Sequence, residues 1–362
     1  MLGDVTGSSR ALRQIRELDA LGVSVQVVQT VPSRDPGALP QPVRVQVVQV
    51  GGGGPRGFWR AHRAVRRAVR SHPAGLYLAS DLYTLPALAE AARQRGAALV
   101  YDSRELYAAL DSSAGRPWVS AVWQAVERRW IRRADAVLTV GDAIADRLTG
   151  AYGIPRPVVL ANAPPATVDR DRGRLAAALA LPDDGRMVVL YQGLFRAGRG
   201  LETLIEAARH VGGVRLVLIG EGALEPQIRA SGAALGDRLV LHPFVPPDRL
   251  STLTPGADLG ACLIEPLTES LRLSLPNKLF EYLAAGVPVL ASPLPEIRAV
   301  VDHGVGLLAD PASPAAVAAA LRHSLDPSRR ADWAARTDDA LARYTWTAGR
   351  SAFRALVHRL LP

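Results

Sequence analysis

The chain has 362 residues, 48% hydrophobic and 21% charged, which suits a globular protein with room for two domains and excludes a disordered or fibrous one. A formal net charge of +9 favours anionic partners such as nucleotides, acidic lipid headgroups or nucleic acid. The single cysteine, Cys262, excludes an internal disulfide and fits a cytoplasmic location. No stretch approaches the ~20 apolar residues of a membrane span, and Asp4 and Arg10 interrupt any signal-peptide pattern.

In chain order, MLGDVTGSSR reads as a turn that opens a helix over residues 10–21, with Ser8 or Ser9 as its cap. Such a turn follows a strand in a doubly wound sheet, and only Met1 and Leu2 remain to form one. The expectation is a truncated first strand, with the true start upstream. Apolar runs at 23–29, 43–50, 75–80, 97–102, 136–141 and 157–162 read as strands, and helical periodicity lies between them at 58–71, 86–94 and 117–133. Residues 163–186 are rich in proline, arginine and aspartate and hold no strand; strands resume at 187–193, 214–220, 238–244, 257–264 and 287–292. Strands separated by helices of this length predict parallel sheets built from βαβ units. The expected organisation is a first domain over 1–165, a linker over 166–186, a second domain over 187–340 and a terminal amphipathic helix over 341–362. Cys262 falls in an apolar run and reads as a core residue rather than a nucleophile.

Ligands of open α/β sheets bind at the carboxyl ends of strands, where helix N-termini point at them. Three turns in the second half answer to that description. YQGLFRAGRGLETLIEAA (191–208) ends a strand at Gly193 and places Arg196 and Arg199 at a helix mouth, a good clamp for a diphosphate. LIGEGAL (218–224) offers Gly220 in a weak Gly-x-Gly signal. SLPNKLFEYLAAGVPVLAS (274–292) opens a helix near Asn277 that carries Lys278, the only lysine among 43 basic residues. Lys278 and Glu281 stand at i and i+3 and share a side. That spacing fits an exposed salt pair, but a cation in a first helical turn is disfavoured by the dipole unless an anion is bound there, so the local reading favours an anionic ligand.

Taken together and in this order, YQGLFRAGRGLETLIEA, LVLIGEG, LHPFV and LPNKLFEYLAAGVPVLAS resemble the nucleotide-binding half of GT-B retaining glycosyltransferases of family 4, the glycosyl transferases group 1. The resemblance is close over residues 187–310 and looser over the first half, in RQIRELDALGVSVQVV, LVYDSRELY and ERRWIRRADAVLTVGDAIADRL. It implies two doubly wound Rossmann-like parallel-sheet domains facing a cleft, a nucleoside-diphosphate sugar as donor, hexosyl transfer with retention, and no metal or other cofactor. By position it gives Arg199 the diphosphate, with Arg196 assisting because the family's other arginine is replaced by Leu194. Lys278 offsets leaving-group charge and Glu281 binds the ribose hydroxyls. Phe244 and Val245 lie along the base. The family's first glutamate is Leu273 here, the mark of a Pro-Asn-Lys branch, so Asn277, Lys278 or the loop backbone amides take the sugar end, with Ser274 and Leu275 also in the donor site. On the acceptor side the resemblance points to Gly7, Ser8 and Arg104, the last standing where the family often has a histidine.

Residues 55–73 hold six arginines and no acid, and a basic helix with aromatics at its start can lie on an anionic membrane. Phe58, Trp59, Arg60, Arg63, Arg67 and Arg70 are the membrane-contact candidates, against the alternative of an ordinary surface helix in an arginine-rich chain. The expected function is transfer of a sugar to a cell-envelope glycan, an exopolysaccharide or a lipid-linked acceptor, in the cytoplasm or peripherally on the inner face of the membrane. Leu273 and Arg104 keep a non-catalytic nucleotide- or partner-binding relative open, and the shared architecture keeps a sugar-nucleotide epimerase open. Charge alone prompts a nucleic-acid binder, but no recognisable module supports one.

Overall fold

The computed structural model describes residues 3–50, 54–109, 117–164, 166 and 169–361; Met1 and Leu2, on which the truncated strand was expected, lie outside them. The chain divides into two compact units, residues 1–162 with 346–362, and residues 163–345. Every strand pair is parallel, as the βαβ alternation predicts.

In the first unit, β1 (Gln26–Gln29) and β2 (Arg44–Val47) pair with each other, while β3 (Leu76–Ala79), β4 (Ala98–Ser103), β5 (Ala136–Thr139) and β6 (Val158–Val159) form a separate sheet in that order. The single sheet expected for this unit is therefore two. Among the described residues no strand bridges them. The segment beside β1 is tied to its end by side chains: Gln29 Oε1 accepts from the Val5 N–H at 2.9 Å and Thr30 Oγ1 from the Gly3 N–H at 3.0 Å. The helices of this unit are α1 (Ser9–Ala20), α2 (Gly54–Arg70), α3 (Leu85–Arg95), α4 (Pro117–Ile131) and α5 (Asp142–Tyr152). The C-terminal helix Trp346–Leu360 completes it, burying Phe353, Leu356 and Val357 among Leu18, Val100, Leu138 and Leu160.

Beneath that core lies a buried ion pair. Arg10, at the start of α1 and 2% exposed, reaches Asp102 on β4 through Nε at 2.8 Å and Nη2 at 2.7 Å. Gln14 donates to the same carboxylate at 2.9 Å, and the Leu160 and Thr139 carbonyls take the rest of the guanidinium. Burial works against the ionised carboxylate, but Arg10 outweighs it and holds Asp102 below its usual range.

The second unit has one six-stranded sheet in the order β12-β11-β10-β7-β8-β9. Its strands are β7 (Met187–Gln192), β8 (Val214–Ile219), β9 (Leu239–His242), β10 (Leu259–Cys262), β11 (Val289–Ala291) and β12 (Gly306–Leu308). The winding reverses between β7 and β10, and the carboxyl ends of those neighbours form the switch point where α/β sheets bind ligands. The helices around it are α6 (Gly173–Leu179), α7 (Leu201–Arg209), α8 (Glu225–Gly232), α9 (Pro247–Leu253), α10 (Glu269–Arg272) and α11 (Asn277–Ala284). Helix α6 lies in the expected linker and buries Leu175 in this unit's core, so the segment is part of the unit rather than a bare tether. On α11, Leu279, Phe280, Tyr282 and Leu283 are buried, and the Tyr282 ring lies so close to Gly260 that a Cβ there would come within 2.3 Å of it. That contact seats α11 on β10 beside the switch point.

Candidate functional site

The loop after β7 is shaped by glycine. Gly193 has φ +128°, a value side chains rarely adopt, and a Cβ there would stand 3.5 Å from Lys278 Nζ. Its N–H donates to the Ile219 carbonyl at 2.9 Å, and the Phe195 N–H to the Glu221 carbonyl at 2.8 Å, so the β7 and β8 loops lie backbone against backbone. A Cβ at Gly220 would fall 1.9 Å from the Gly193 carbonyl oxygen, and one at Gly222 would fall 2.3 Å from that of Phe195. The Gly-x-Gly of this turn therefore serves loop-on-loop packing, which the sequence signal could not distinguish from a phosphate cradle. At the mouth of α7, the Gly200 N–H donates to Glu265 Oε1 at 3.0 Å. Arg199 and Arg196 stand in this loop, Arg196 exposed and Arg199 half-buried.

Lys278, in the first turn of α11, reaches back under this loop. Its Nζ lies 3.5 Å from the centroid of the Tyr191 ring, is shut off from solvent, and has no hydrogen-bond partner among the described residues. Burial pulls its pKa down to about 7, and Arg199 and Arg196 add to the fall while Cys262 and Glu281 oppose it. The spacing with Glu281 does not become an ion pair. Glu281 Oε2 instead accepts from Gln192 Nε2 at 2.5 Å, and Gln192 Oε1 accepts from the buried Thr254 hydroxyl at 3.1 Å. Burial raises the pKa of Glu281 above the usual range, against the Gln192 hydrogen bond and Lys278. The Tyr282 hydroxyl locks the strand end by accepting from the Gln192 N–H at 3.1 Å and donating to the Leu190 carbonyl at 3.0 Å. Cys262 is buried in the core, as its apolar run predicts, and burial pushes its thiol up to about 11.

Tyr191, Gln192 and Thr254 were not singled out from sequence. The first two could have been, because they are the last residues of a strand that ends at the binding edge. Leu273 is 6% exposed, so the position of the missing glutamate turns into the core. Ser274 Oγ donates to the Leu271 carbonyl at 2.8 Å, Leu275 packs against the core, and Asn277 is exposed. Val245 is buried and Phe244 is 50% exposed.

In the first unit, Gly7, Ser8 and Arg104 come together. Ser8 caps α1 by accepting from the Ala11 N–H at 3.3 Å, and Arg104 Nη1 donates to its hydroxyl at 3.1 Å. Burial would lower Arg104's pKa, but Tyr107 and Asp102 outweigh it and raise it. On α2, Arg60, Arg63, Arg67 and Arg70 share an exposed face with Trp59, which is 61% exposed. Phe58 leaves that face: it packs edge-on against Trp123 of α4 at 4.8 Å, with Tyr83 beside both, because its ring is drawn to the aromatic cluster. Helix α4 contributes Trp118 (65% exposed) and Val122 to the outer surface, a feature not foreseen.

Residues 6–163 match the family model described as a glycosyl transferase 4-like domain, and residues 186–326 match that described as glycosyl transferases group 1. Among curated proteins, the D-inositol 3-phosphate glycosyltransferase of Acidothermus cellulolyticus is 31% identical over 223 residues, covering 56% of this chain and 48% of that one. The chain thus spans about half the length of this relative. Among solved structures, sucrose-phosphate synthase from Thermosynechococcus elongatus matches with a TM-score of 0.78 at 19% identity, over 99% of this chain and 98% of that one. HepE of Anabaena in complex with UDP matches with a TM-score of 0.77 at 19% identity, over 99% of each chain; its UDP-glucose complex matches equally well at 18% identity, over 99% of this chain and 98% of that one. The fold is GT-B, and the chain carries a glycosyl transferase 4-like domain followed by a group 1 glycosyl transferase domain.

Proposed function

We propose that this GT-B chain is a retaining glycosyltransferase that moves a hexosyl group from a nucleoside-diphosphate sugar to a cell-envelope glycan, an exopolysaccharide or a lipid-linked acceptor. One observation carries the reading: at the switch point of the second unit an enclosed amine nitrogen, Lys278 Nζ, has no hydrogen-bond partner among the described residues and shares its surroundings with Arg199 and Arg196. A buried, unpaired ammonium is costly, and a bound diphosphate removes that cost by supplying both charge and acceptors. As the bond between the sugar and the β-phosphate breaks, negative charge grows on the phosphate oxygens, and fixed cations lower the barrier without reorganising. Arg199 and Lys278 supply that charge with Arg196 assisting, so the reaction calls for no metal. Glu281, positioned by Gln192, takes the ribose hydroxyls. Phe244 and Val245 flank the base beside the Gly193 and Gly220 loops, and Ser274, Leu275 and Asn277 offer backbone and amide groups to the sugar. The UDP and UDP-glucose complexes of HepE support a sugar nucleotide as the donor class.

Gly7, Ser8 and Arg104 serve the acceptor. Among the described residues no helix is long and apolar enough to cross a membrane. Trp59 and Trp118, with the arginines of α2, fit attachment to an anionic membrane from the cytoplasmic side.

The test is melting temperature against UDP-, GDP- and dTDP-sugars, followed by nucleoside-diphosphate release. A rise with one donor and turnover that disappears in Arg199→Ala are expected; no rise with any of them overturns the reading. Leu273 and Arg104 also favour a non-catalytic relative, for which a donor would raise the melting point yet never be cleaved.

A further inference from the structure

We propose that above neutral pH Lys278 rests mainly as an uncharged amine and takes up a proton as the donor's diphosphate binds, so that the substrate itself creates the cation that stabilises its leaving group. This rests on the donor reading above and goes further, since that reading requires only a positive charge in the complex.

Among the described residues, the surroundings of Nζ offer a free ammonium no hydrogen-bond acceptor. From β7, the Tyr191 ring lies beneath it at 3.5 Å, and the Tyr191 hydroxyl is turned away, donating to the Leu194 carbonyl at 2.7 Å. From β10, the buried Cys262 thiol is pushed up to about 11 and stays neutral near pH 7. From the loop before α7 come Arg196 and Arg199, both positive. From α11 itself comes Glu281, whose carboxyl is engaged by Gln192 and raised by burial. An aromatic face attracts a cation, but it is weak compensation for full desolvation beside two guanidiniums. The free pKa of about 7 agrees with this geometry. A diphosphate supplies acceptors and negative charge together, which reverses the balance at Nζ. Arginine cannot act this way because it does not deprotonate in proteins. That gives a reason for one lysine in a chain whose other basic residues among 43 are all arginine.

Written as a balance, free enzyme with neutral Lys278, one proton and one sugar nucleotide give a complex with Lys278 as ammonium. No bond other than N–H is made or broken.

Because Lys278 is the only lysine, protein grown on 13C-lysine gives a single side-chain Cε resonance to follow against pH. Without ligand it should titrate near 7, well below an ordinary lysine. With saturating UDP-glucose, or whichever sugar nucleotide raises the melting point, the midpoint should climb past about 9. Calorimetry in two buffers of different ionisation enthalpy should show about 0.9 proton taken up per donor at pH 8 and about 0.1 at pH 6. Donor affinity should fall about tenfold per pH unit above 7 in the wild type, and Lys278→Arg should bind without that slope. A free lysine that titrates near 10 overturns the proposal, as does a midpoint unmoved by a bound sugar nucleotide. In the second case the donor reading survives; if no sugar nucleotide binds at all, both fall.

Discussion

Two enclosed basic groups, the Arg10 guanidinium of the first unit and the Lys278 nitrogen of the second, are treated in opposite ways. Arg10 is surrounded: two guanidinium nitrogens meet Asp102, two carbonyls take the remainder, and Gln14 supports the carboxylate. Lys278 is also enclosed at its nitrogen, but among the described residues it meets a ring face and no hydrogen-bond acceptor. A buried charge with every hydrogen bond made is architecture, holding α1 to the sheet. A buried cation with none is an unfinished site, stable only because a lysine can shed its proton. The chain uses arginine where the charge must be permanent and lysine where it must be conditional.

Breaking the satisfied pair should have the largest effect. Arg10→Met strands Asp102 without its partner and should cost the first unit about 3–5 kcal/mol, read as a lower urea midpoint. Lys278→Met should do the reverse to the free protein, leaving it as stable as the wild type or more so, while weakening sugar-nucleotide affinity about 100-fold by calorimetry. A loss of free-protein stability comparable to that of Arg10→Met would erase the distinction between the two cations.

The same contrast sets a pH dependence. The folded-state pKa of Lys278, about 7, lies below the unfolded value of 10.5, so the unfolded chain binds more protons between these limits. Stability from this group therefore rises with pH from 7 to 10.5 and is constant below 7, where both states are protonated. Urea unfolding should show an extra slope of about 1.4 kcal/mol per pH unit in the wild type that Lys278→Met lacks. A smaller effect is expected for Gln192→Leu, which leaves Glu281 without its donor: free-protein stability falls by about 1–2 kcal/mol and donor affinity several-fold. The smallest concerns the outer surface, where Trp118→Ser should leave melting within about 0.5 kcal/mol of the wild type but reduce recovery with anionic liposomes. Equal recovery with neutral and anionic liposomes would remove the membrane face.

Much of this was legible in the sequence because strands and helices announce themselves by period. The runs from 75 to 102 and from 187 to 220 became β3, β4, β7 and β8 almost as read. What period does not carry is pairing. The division of the first unit into two sheets, and the reversal between β7 and β10, arise from contacts far apart in the chain. The three-residue strand β12 is too short to show alternation at all. At the site, Lys278, Arg199 and Glu281 drew notice by type and spacing, and Lys278 by its rarity. Gln192 and Tyr191 did not, because a strand's last residues read as core until the neighbouring strand is known. The hydrogen bond that holds Glu281 was out of reach for the same reason: its partner, Gln192, is 89 residues away in the chain.

The most direct measurement compares melting temperature with and without saturating sugar nucleotide in the wild type and in Lys278→Met. The donor should raise the wild-type melting point by several degrees and the variant's by much less. Equal rises in both proteins would contradict the placement of the diphosphate at Lys278.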